Sequence, residues 1–378
     1  MYEGSRAWVE IDLSALAYNC TQLRSLLPHG CELMAIVKAD AYGHGAERVA
    51  ERLWDEGVKA FAVATVSEGV RLRENGLDGD ILVLSYTHPK KAALLSDYRL
   101  AQLIVDGAHA KAMNDTGHKM RVHIAVDTGM RREGIIVSNL SEIEDIFKCK
   151  NLSVEGMATH LSSSDSLTED DDKFTKTQIE RFFETDGYLK SKGCNTGKLH
   201  FQASYGVYNY PDPRCDYARA GIGLYGLMSH DDGTRISLDL RPVLSLRAVI
   251  AQTRWISSGE SVSYGRTFTA DRPMKLATIC IGYADGVPRH MSGNNGACIV
   301  HGRRVPIVGR ICMDLLMIDV TEVESAVPGD VATLIGRDGA ETIRCEEVAG
   351  ASGTITNEIL CRMGSRLPRV YKEERFRL

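Results

Sequence analysis

The segment LMAIVKADAYGHGAERVAERLWDEG (residues 33–57) shows how this chain folds. Residues 33–38 form an apolar run of a length typical of a buried strand, and the run ends at Lys38. Glycines follow at positions 43 and 45, and residues 46–56 then carry arginine and glutamate on one face of a helical repeat. The segment therefore predicts a strand, a turn and a helix, which together make one β/α unit.

The same alternation continues to about residue 230. It predicts seven further strands, at residues 60–64, 81–85, 101–105, 122–126, 154–160, 198–204 and 217–224. Eight successive β/α units predict a closed (β/α)8 barrel, with the active site where the carboxyl ends of the strands emerge. A doubly wound open sheet is the alternative. The barrel is favoured by polar residues at the predicted strand ends, which would face one mouth: Lys38, Arg132, His160, Ser204 and Gly221.

Beyond about residue 236 the pattern changes to Val, Ile and Thr in near alternation, broken by Gly and Pro turns. This pattern is typical of strands and predicts an all-β second domain. We place the boundary within residues 230–240, which assigns residues 1–235 to the barrel and residues 236–378 to the β domain. The expected fold class is α/β, an N-terminal (β/α)8 barrel followed by a C-terminal all-β domain. The acidic stretch SSSDSLTEDDD (residues 162–172) predicts a solvated loop.

Composition narrows the function classes. A chain of 378 residues is long enough for two domains, and its net charge of -5 comes from interleaved acidic and basic residues. The absence of a basic stripe argues against a nucleic-acid partner. The apolar runs are far shorter than the roughly 20 residues that span a bilayer, so we expect a soluble, cytoplasmic chain without membrane contact. The ten cysteines lack metal-ligand spacing and predict reduced thiols and no metal site.

Lys38 is the first candidate for chemistry. A charged side chain at the end of an apolar strand is costly unless it is paired or neutral. A desolvated lysine at a barrel mouth can lose its proton and form an imine with an aldehyde cofactor. A structural ion pair is the alternative for the same residue.

The segment VKADAYGHG (residues 37–45) resembles the cofactor-lysine signature of the alanine racemases. The resemblance covers almost the whole chain and includes seven more motifs in the same order: WVEIDLSAL (8–16), DTGMRREG (127–134), ATHLSSSD (158–165), ARAGIGLYG (218–226), VSYGRTF (262–268), GYADGVPR (282–289) and GRICMD (309–314). It implies an amino-acid racemase that depends on pyridoxal 5'-phosphate (PLP), with a barrel followed by a β domain.

The resemblance also implies roles for individual residues. Lys38 resembles the lysine that holds the cofactor as a Schiff base. Arg219 resembles the arginine that faces the pyridine nitrogen of the cofactor, and Arg132 the one that contacts its phenolic oxygen. The residues that resemble the phosphate holders are Tyr42, Ser204, Gly221 and Ile222.

Racemisation needs a base on each face of a planar intermediate. The resemblance implies that Lys38 serves one face and Tyr264, reached across a dimer interface, the other. It places His160 and His200 in a hydrogen-bond chain that links Tyr264 to Arg219. The residues that would close the substrate entrance of the partner subunit are Tyr283, Met313 and Asp314. The implied assembly is a homodimer with shared active sites.

The chain departs from the family pattern at three positions. Ala125 stands where many members carry a lysine that becomes carbamylated and supports Arg132, and Ala203 replaces an asparagine that commonly precedes Ser204. Asn357 stands where ordinary alanine racemases have a tyrosine beside the cofactor phosphate and the substrate pocket. An amide in place of a ring opens volume and adds both a donor and an acceptor.

Asn357 makes this chain similar to the serine racemases of vancomycin-resistance clusters, in which such a domain follows a membrane region. The resemblance therefore implies racemisation of L-serine and L-alanine, by the soluble part of a longer membrane-anchored protein. An ordinary alanine racemase that supplies D-alanine for peptidoglycan is the alternative. A non-catalytic PLP carrier needs neither Tyr264 nor a β domain. A decarboxylase would need room for a longer substrate, which the entrance motif at Met313 and Asp314 does not favour.

Overall fold

The computed structural model describes residues 4–229 and 233–373. Its first half contains ten strands, which are β1 (Ala7–Asp12), β2 (Glu32–Ile36), β3 (Ala60–Val63), β4 (Asp80–Val83), β5 (Ala101–Ile104), β6 (Met120–Asp127), β7 (Ile135–Ile136), β8 (Leu152–Ala158), β9 (Lys198–His200) and β10 (Tyr217–Ala220). Eight of them form one parallel sheet in the order β10-β2-β3-β4-β5-β6-β8-β9. All eight predicted strands are present.

The parallel sheet curves into a barrel. The last strand, β10, pairs with the first barrel strand, β2, so the ring is complete once β10 also meets β9. Single hydrogen bonds join β9 to β10, since the N–H of Asp216 donates to the carbonyl of Leu199 at 2.8 Å and the N–H of Arg219 to that of Gln202 at 2.9 Å. The predicted barrel is confirmed, and the open doubly wound sheet is wrong.

The helices of the first half lie mostly on the outside of the barrel and bury their apolar residues against the strands. They are α1 (Leu13–Ser25), α2 (Lys38–Gly43), α3 (Ala46–Asp55), α4 (Val66–Glu74), α5 (Ala92–Asp97), α6 (Gly107–Asn114), α7 (Leu140–Phe147), α8 (Glu169–Ser191) and α9 (Ser204–Asn209). Within the described part of the chain, no helix combines the length and the apolar character needed to cross a membrane.

The acidic stretch at residues 162–172 is only partly a loop. The helix α8 begins at Glu169, and the side chain of Thr168 accepts a hydrogen bond from the N–H of Asp171. Acidic side chains stabilise the first turn of a helix because they face its positive end. The prediction of a loop was therefore wrong for residues 169–172, whose charge belongs to a capped helix start.

The second half is an antiparallel β domain with two short helices. Its strands are β11 (Leu244–Ile256), β12 (Ser261–Val262), β13 (Phe268–Thr269), β14 (Met274–Ile279), β15 (Ala297–Val300), β16 (Arg303–Val308), β17 (Leu316–Asp319), β18 (Val331–Asp338), β19 (Glu341–Ile343) and β20 (Arg369–Lys372). The helices are α10 (Cys345–Ala351) and α11 (Thr356–Cys361). Because β18 pairs with both β15 and β11, six of the strands form a closed ring. The predicted fold class is confirmed.

The first strand of the chain does not lie in the barrel. β1 pairs antiparallel with β11 and parallel with β20, so the sheet of the second half includes residues from both ends of the chain. The assignment of residues 1–235 to the barrel needs this correction, because local sequence carries no signal for a strand's distant partner. Of the predicted boundary region, residues 230–232 lie outside the described part of the chain, and β11 begins at Leu244.

The short element α2, which forms the turn after Lys38, is left-handed. Four successive residues after it, Ala39 to Tyr42, have φ values of 53–55°. This conformation costs roughly 1–2 kcal/mol for each residue with a Cβ. The turn is held by Glu68, which accepts the N–H of Ala39 at 2.7 Å, and by His44, whose Nδ1 lies 2.9 Å from the carbonyl oxygen of Ala41 and 3.0 Å from that of Tyr42.

The left-handed turn predicts an unusual effect of glycine. Ala39 is exposed and has a φ of 54°, so Ala39→Gly should raise the free energy of unfolding by about 0.5–1 kcal/mol, because glycine adopts this conformation without strain. Ala112 is exposed in the right-handed helix α6, and Ala112→Gly should lower the free energy of unfolding by a similar amount. Urea denaturation of both variants tests the contrast. A destabilised Ala39→Gly protein would contradict the assignment of strain to this turn.

Candidate active site

A cavity of about 560 Å³ opens at the carboxyl end of the barrel strands. Its size lies within the range of small-molecule and cofactor sites. The structure brings nine of the residues singled out from the sequence together in its wall: Lys38, Tyr42, Arg132, His160, Ser204, Arg219, Gly221, Ile222 and Asn357.

Lys38 lies at the cavity wall, directly after strand β2 and at the start of the left-handed turn. Burial lowers the pKa of its ammonium group, and the positive charges of Arg132 and Arg219 lower it further. Both causes favour the neutral amine, which is the form that attacks a carbonyl carbon. The structure contains no acceptor within salt-bridge distance of Lys38 among the described residues, so the alternative of a structural ion pair is not supported.

Ser204 and Tyr42 form a polar corner of the cavity with the backbone of residues 221–223. The hydroxyl oxygen of Ser204 accepts the N–H of Gly221 at 3.1 Å and that of Gly223 at 3.2 Å, which leaves the hydroxyl proton to donate to a ligand. A Cβ at position 221 would lie 2.7 Å from the hydroxyl oxygen of Tyr42. Glycine is therefore required at position 221 by the close approach of the tyrosine.

Arg219 is buried at the base of the cavity, and its guanidinium is almost fully hydrogen-bonded. Nη1 donates to His200 at both Nδ1 (2.7 Å) and the carbonyl oxygen (2.8 Å). Nη2 donates to the carbonyl oxygen of Thr159 at 2.8 Å and lies 3.2 Å from both Nδ1 of His160 and the carbonyl oxygen of Phe201. Burial lowers the pKa of Arg219 to about 10, which keeps it charged at neutral pH.

One N–H of Arg219 is left for a ligand. A guanidinium has five N–H groups, and those on Nη1 and Nη2 have acceptors. Among the described residues, no acceptor is found for Nε. Since Arg219 also lines the cavity, the remaining donor can serve a molecule bound there.

Both histidines next to Arg219 are uncharged. Burial lowers the pKa of His160 to about 3, with further contributions from the positive charges of Arg219, Arg132 and Lys38. Burial also holds the pKa of His200 well below its usual range. The structure thus brings both histidines to Arg219. It does not bring Tyr264 to them within one chain.

Arg132 lies at the rim of the cavity and is about half exposed. Its nearest carboxylate among the described residues is that of Glu133, at 3.7 Å. Ala125 also lines the cavity, so the place of the family's lysine is occupied by a methyl group. The rim position keeps the guanidinium available to a ligand.

His200 lies on β9 behind the cavity wall, and four more residues singled out from the sequence lie on the β domain and do not line this cavity. Tyr264 is 69% exposed and Met313 is 53% exposed. The loops of Tyr283 and Met313 are joined, because the N–H of Tyr283 donates to the carbonyl oxygen of Cys312 at 3.1 Å. Asp314 forms an ion pair with Arg366 at 2.5 Å. These side chains are presented to the outside of the chain.

The sequence analysis did not identify several polar residues near the cavity. Thr159, Tyr205 and Asp165 line it, and His123 lies beneath it in contact with His200. A histidine within the apolar run VHIAV (residues 122–126) is the signal that could have identified His123, because a polar side chain inside a barrel strand must find a partner.

Comparison with known proteins gives matches over both halves of the chain. The family model described as alanine racemase, N-terminal domain, matches residues 11–229, and the model described as alanine racemase, C-terminal domain, matches residues 243–371. An alanine racemase of Clostridium difficile 630, a solved structure, superposes with a TM-score of 0.91 at 32% identity, covering 98% of this chain and 96% of that one.

Two enterococcal relatives are similar as well. An amino-acid racemase of Enterococcus faecalis is 42% identical over 363 residues, and a serine/alanine racemase of Enterococcus gallinarum is 38% identical over 363 residues. Each alignment covers 96% of this chain and 51% of the relative, so the chain spans about half the length of these two proteins. The resemblance recognised in the sequence motifs is confirmed, and the chain belongs to the alanine racemase family of PLP-dependent enzymes.

Proposed function

We propose that this protein interconverts the enantiomers of serine and of alanine, with PLP held by Lys38 and with one base on each face of the bound substrate. Lys38 is the base on one face, and Tyr264 of the partner subunit is the base on the other. The observation that carries the proposal is a lysine with a lowered pKa in a cavity whose other polar groups suit each end of the cofactor.

The residues present fit PLP. The hydroxyl of Ser204 and that of Tyr42 would hold the phosphate with the backbone of Gly221 and Ile222, the free Nε–H of Arg219 would meet the ring nitrogen, and Arg132 at the rim would meet the phenolic oxygen. When bound, PLP supplies an aldehyde that condenses with amino groups and a ring that accepts electrons as the Cα–H bond breaks. The hydroxyl proton of Ser204 and the Nε–H of Arg219 are donors that the chain itself leaves available, whereas the N–H of Gly221 would be shared between Ser204 and the phosphate.

Two bases are needed because the proton must leave one face of the substrate and return to the other. Lys38, whose pKa is lowered by burial, accepts the proton on its own face. Within the described part of one chain, the tyrosines in the cavity wall are Tyr42 and Tyr205, whereas Tyr264 is exposed on the β domain and free to enter a neighbouring cavity. We therefore infer a homodimer in which each site takes Tyr264, Tyr283, Met313 and Asp314 from the partner.

Arg219 controls what happens to a serine side chain. Its Nε–H would meet the ring nitrogen of bound PLP without giving up its proton, because Arg219 stays charged even with a pKa of about 10. Arg219 would in this way limit the negative charge taken up by the ring, and so limit loss of the serine hydroxyl as water. Serine can then be racemised with little conversion to pyruvate.

Asn357 is the residue that supports serine as a substrate. It lies on α11, which is anchored to the barrel because the hydroxyl of Thr356 donates to the carbonyl oxygen of Met228 at 2.7 Å. Asn357 lines the cavity, and its Oδ1 is buried without a hydrogen-bond partner among the described residues. An unpaired buried acceptor is costly, and a turn of the amide toward the cavity would let a substrate hydroxyl satisfy it. Alanine has no such hydroxyl.

The role of Lys38 predicts the behaviour of the cofactor. Purified protein should be yellow, and borohydride should fix the cofactor to the chain by reducing its bond to Lys38. Lys38→Ala should remove the covalent link and racemase activity. Absorbance and mass spectrometry of the reduced protein test this. Lys59→Ala, which removes a lysine outside the cavity wall, serves as the control. Cofactor attached by borohydride to the Lys38→Ala chain would contradict the assignment.

The role of Tyr264 predicts an asymmetric defect. Tyr264→Phe should slow exchange of the α-proton of L-alanine with solvent far more than that of D-alanine, because only one face loses its base. Proton NMR in D₂O measures both rates, and Tyr98→Phe, on the outer surface of the barrel, is the matched control. Mixing the inactive Lys38→Ala and Tyr264→Phe proteins should restore up to about a quarter of the activity, as expected for hybrid dimers with one intact site. Equal losses in both directions, or no recovery on subunit exchange, would count against a shared two-base site.

The role of Asn357 predicts a change in substrate preference. Asn357→Tyr should lower kcat/KM for serine by at least roughly tenfold while sparing alanine, the factor expected from about 1.4 kcal/mol of lost stabilisation. Asn357→Ala keeps the space but removes the acceptor, and should lower the serine value roughly fivefold. Parallel assays of both substrates decide the point. An unchanged serine to alanine ratio would favour an ordinary alanine racemase.

A further inference from the structure

A second buried histidine lies beneath the floor of the cavity. His123 is on β6 and has its Nδ1 2.8 Å from Nε2 of His200 on β9. His200 in turn contacts Arg219. The three side chains form a continuous chain of hydrogen bonds that runs from β6 to the guanidinium. His123 itself does not line the cavity.

Chemistry decides the direction of these bonds. Arginine carries only N–H donors, so Nδ1 of His200, 2.7 Å from Nη1 of Arg219, must accept. The proton of neutral His200 is then on Nε2 and is donated to His123, whose Nδ1 must accept it. Burial lowers the pKa of His123 to about 4, in keeping with a neutral ring. One arrangement of protons therefore satisfies all the hydrogen bonds among Arg219, His200 and His123.

A glycine in the intervening strand makes the contact between His123 and His200 possible. Strand β8 lies between β6 and β9, and Gly156 of β8 is paired with His123. A Cβ at position 156 would lie 2.4 Å from Nδ1 of His123. The missing side chain at Gly156 therefore opens the path by which His123 reaches a residue two strands away.

We propose that His123 is a positioning residue, which accepts the Nε2 proton of His200 and so holds His200 in the tautomer that Arg219 requires. With His200 fixed, Arg219 keeps four N–H groups on the protein and offers Nε–H to the ring nitrogen. His123 acts through Arg219 and touches neither substrate nor cofactor. The consequence for serine rests on the function proposed above.

Removing the acceptor at position 123 forces a change at Arg219. The buried Nε2–H of His200 would lose its partner, which is unfavourable. Moving that proton to Nδ1 would place an N–H against the N–H of Arg219. We expect the second outcome, in which the guanidinium loses a well-ordered contact and its Nε–H is no longer held in one position.

Three variants separate this role from general damage to the barrel. His123→Leu removes the acceptor, whereas His123→Asn keeps an oxygen near the position of Nδ1 and should behave like the original protein. His109→Leu is the matched control, because His109 is also a buried histidine but lies on helix α6 and bonds to the carbonyl of Thr87. If His123→Leu does not fold, His123→Thr replaces it, since its hydroxyl ends short of His200.

The tautomer is measured directly in the full chain with PLP bound. Histidine-selective ¹⁵N labelling distinguishes protonated from unprotonated ring nitrogens, and His200 is assigned from the signals lost in a His200→Gln protein. We expect His200 to carry its proton on Nε2 in the original protein, in His123→Asn and in His109→Leu. In His123→Leu we expect the Nδ1–H form or a mixture. This measurement does not depend on turnover, so it stands even if serine is not the substrate.

The second measurement is the fraction of L-serine that ends as pyruvate and ammonia instead of D-serine. It should rise at least roughly fivefold in His123→Leu and return to the original value in His123→Asn, as expected when one ordering hydrogen bond is lost and regained. A folded His123→Leu protein with an unchanged His200 tautomer, or with an unchanged pyruvate fraction, overturns the proposal. If the original protein does not racemise L-serine at all, that result would instead contradict serine as the proposed substrate.

Discussion

The structure depends on satisfying one buried positive charge. Arg219 lies inside the barrel, where an unpaired guanidinium would be prohibitively unfavourable. Its acceptors come from the ends of β8 and β9, and its own backbone N–H joins β10 to the segment after β9. The barrel closes at this point without a regular ladder between β9 and β10, so the residue that presents a charge to the cavity also holds the closing strands together. The contacts of Arg219 that close the barrel are therefore the same contacts that shape the cavity.

The same charge sets the protonation of its neighbours. Burial and the positive charge of Arg219 keep His160 and His200 neutral. Desolvation, together with the charges of Arg132 and Arg219, also shifts Lys38 toward its neutral amine form by lowering its pKa. A basic residue that is neutral in place can take up a proton, whereas Arg219 retains its own. Lysine and arginine within one cavity are thus suited to opposite tasks.

Several features followed from local sequence. Strand positions were readable because a buried parallel strand is a continuous apolar run, and Lys38, Ser204 and Gly221 could be placed at strand ends for the same reason. The family motifs singled out polar residues that the structure places in the cavity wall, including Asn357. Local sequence did not reveal the start of α8, since an acidic run looks like a solvated loop until Thr168 caps it. Nor did it reveal the left-handed turn, because alanine rarely adopts that conformation without tertiary support.

By itself the sequence determined the order of β/α units, the change to a β domain, the family and the residues at the cavity wall, all of which depend on patterns within short windows. Only the tertiary structure decided that β1 joins the sheet of the second half, that His123 reaches His200 past Gly156, and that the Oδ1 of Asn357 is left without a partner. Each of these depends on contacts between residues far apart in the chain, and the energy of a buried polar contact is set by its whole surroundings, which no short window of sequence contains.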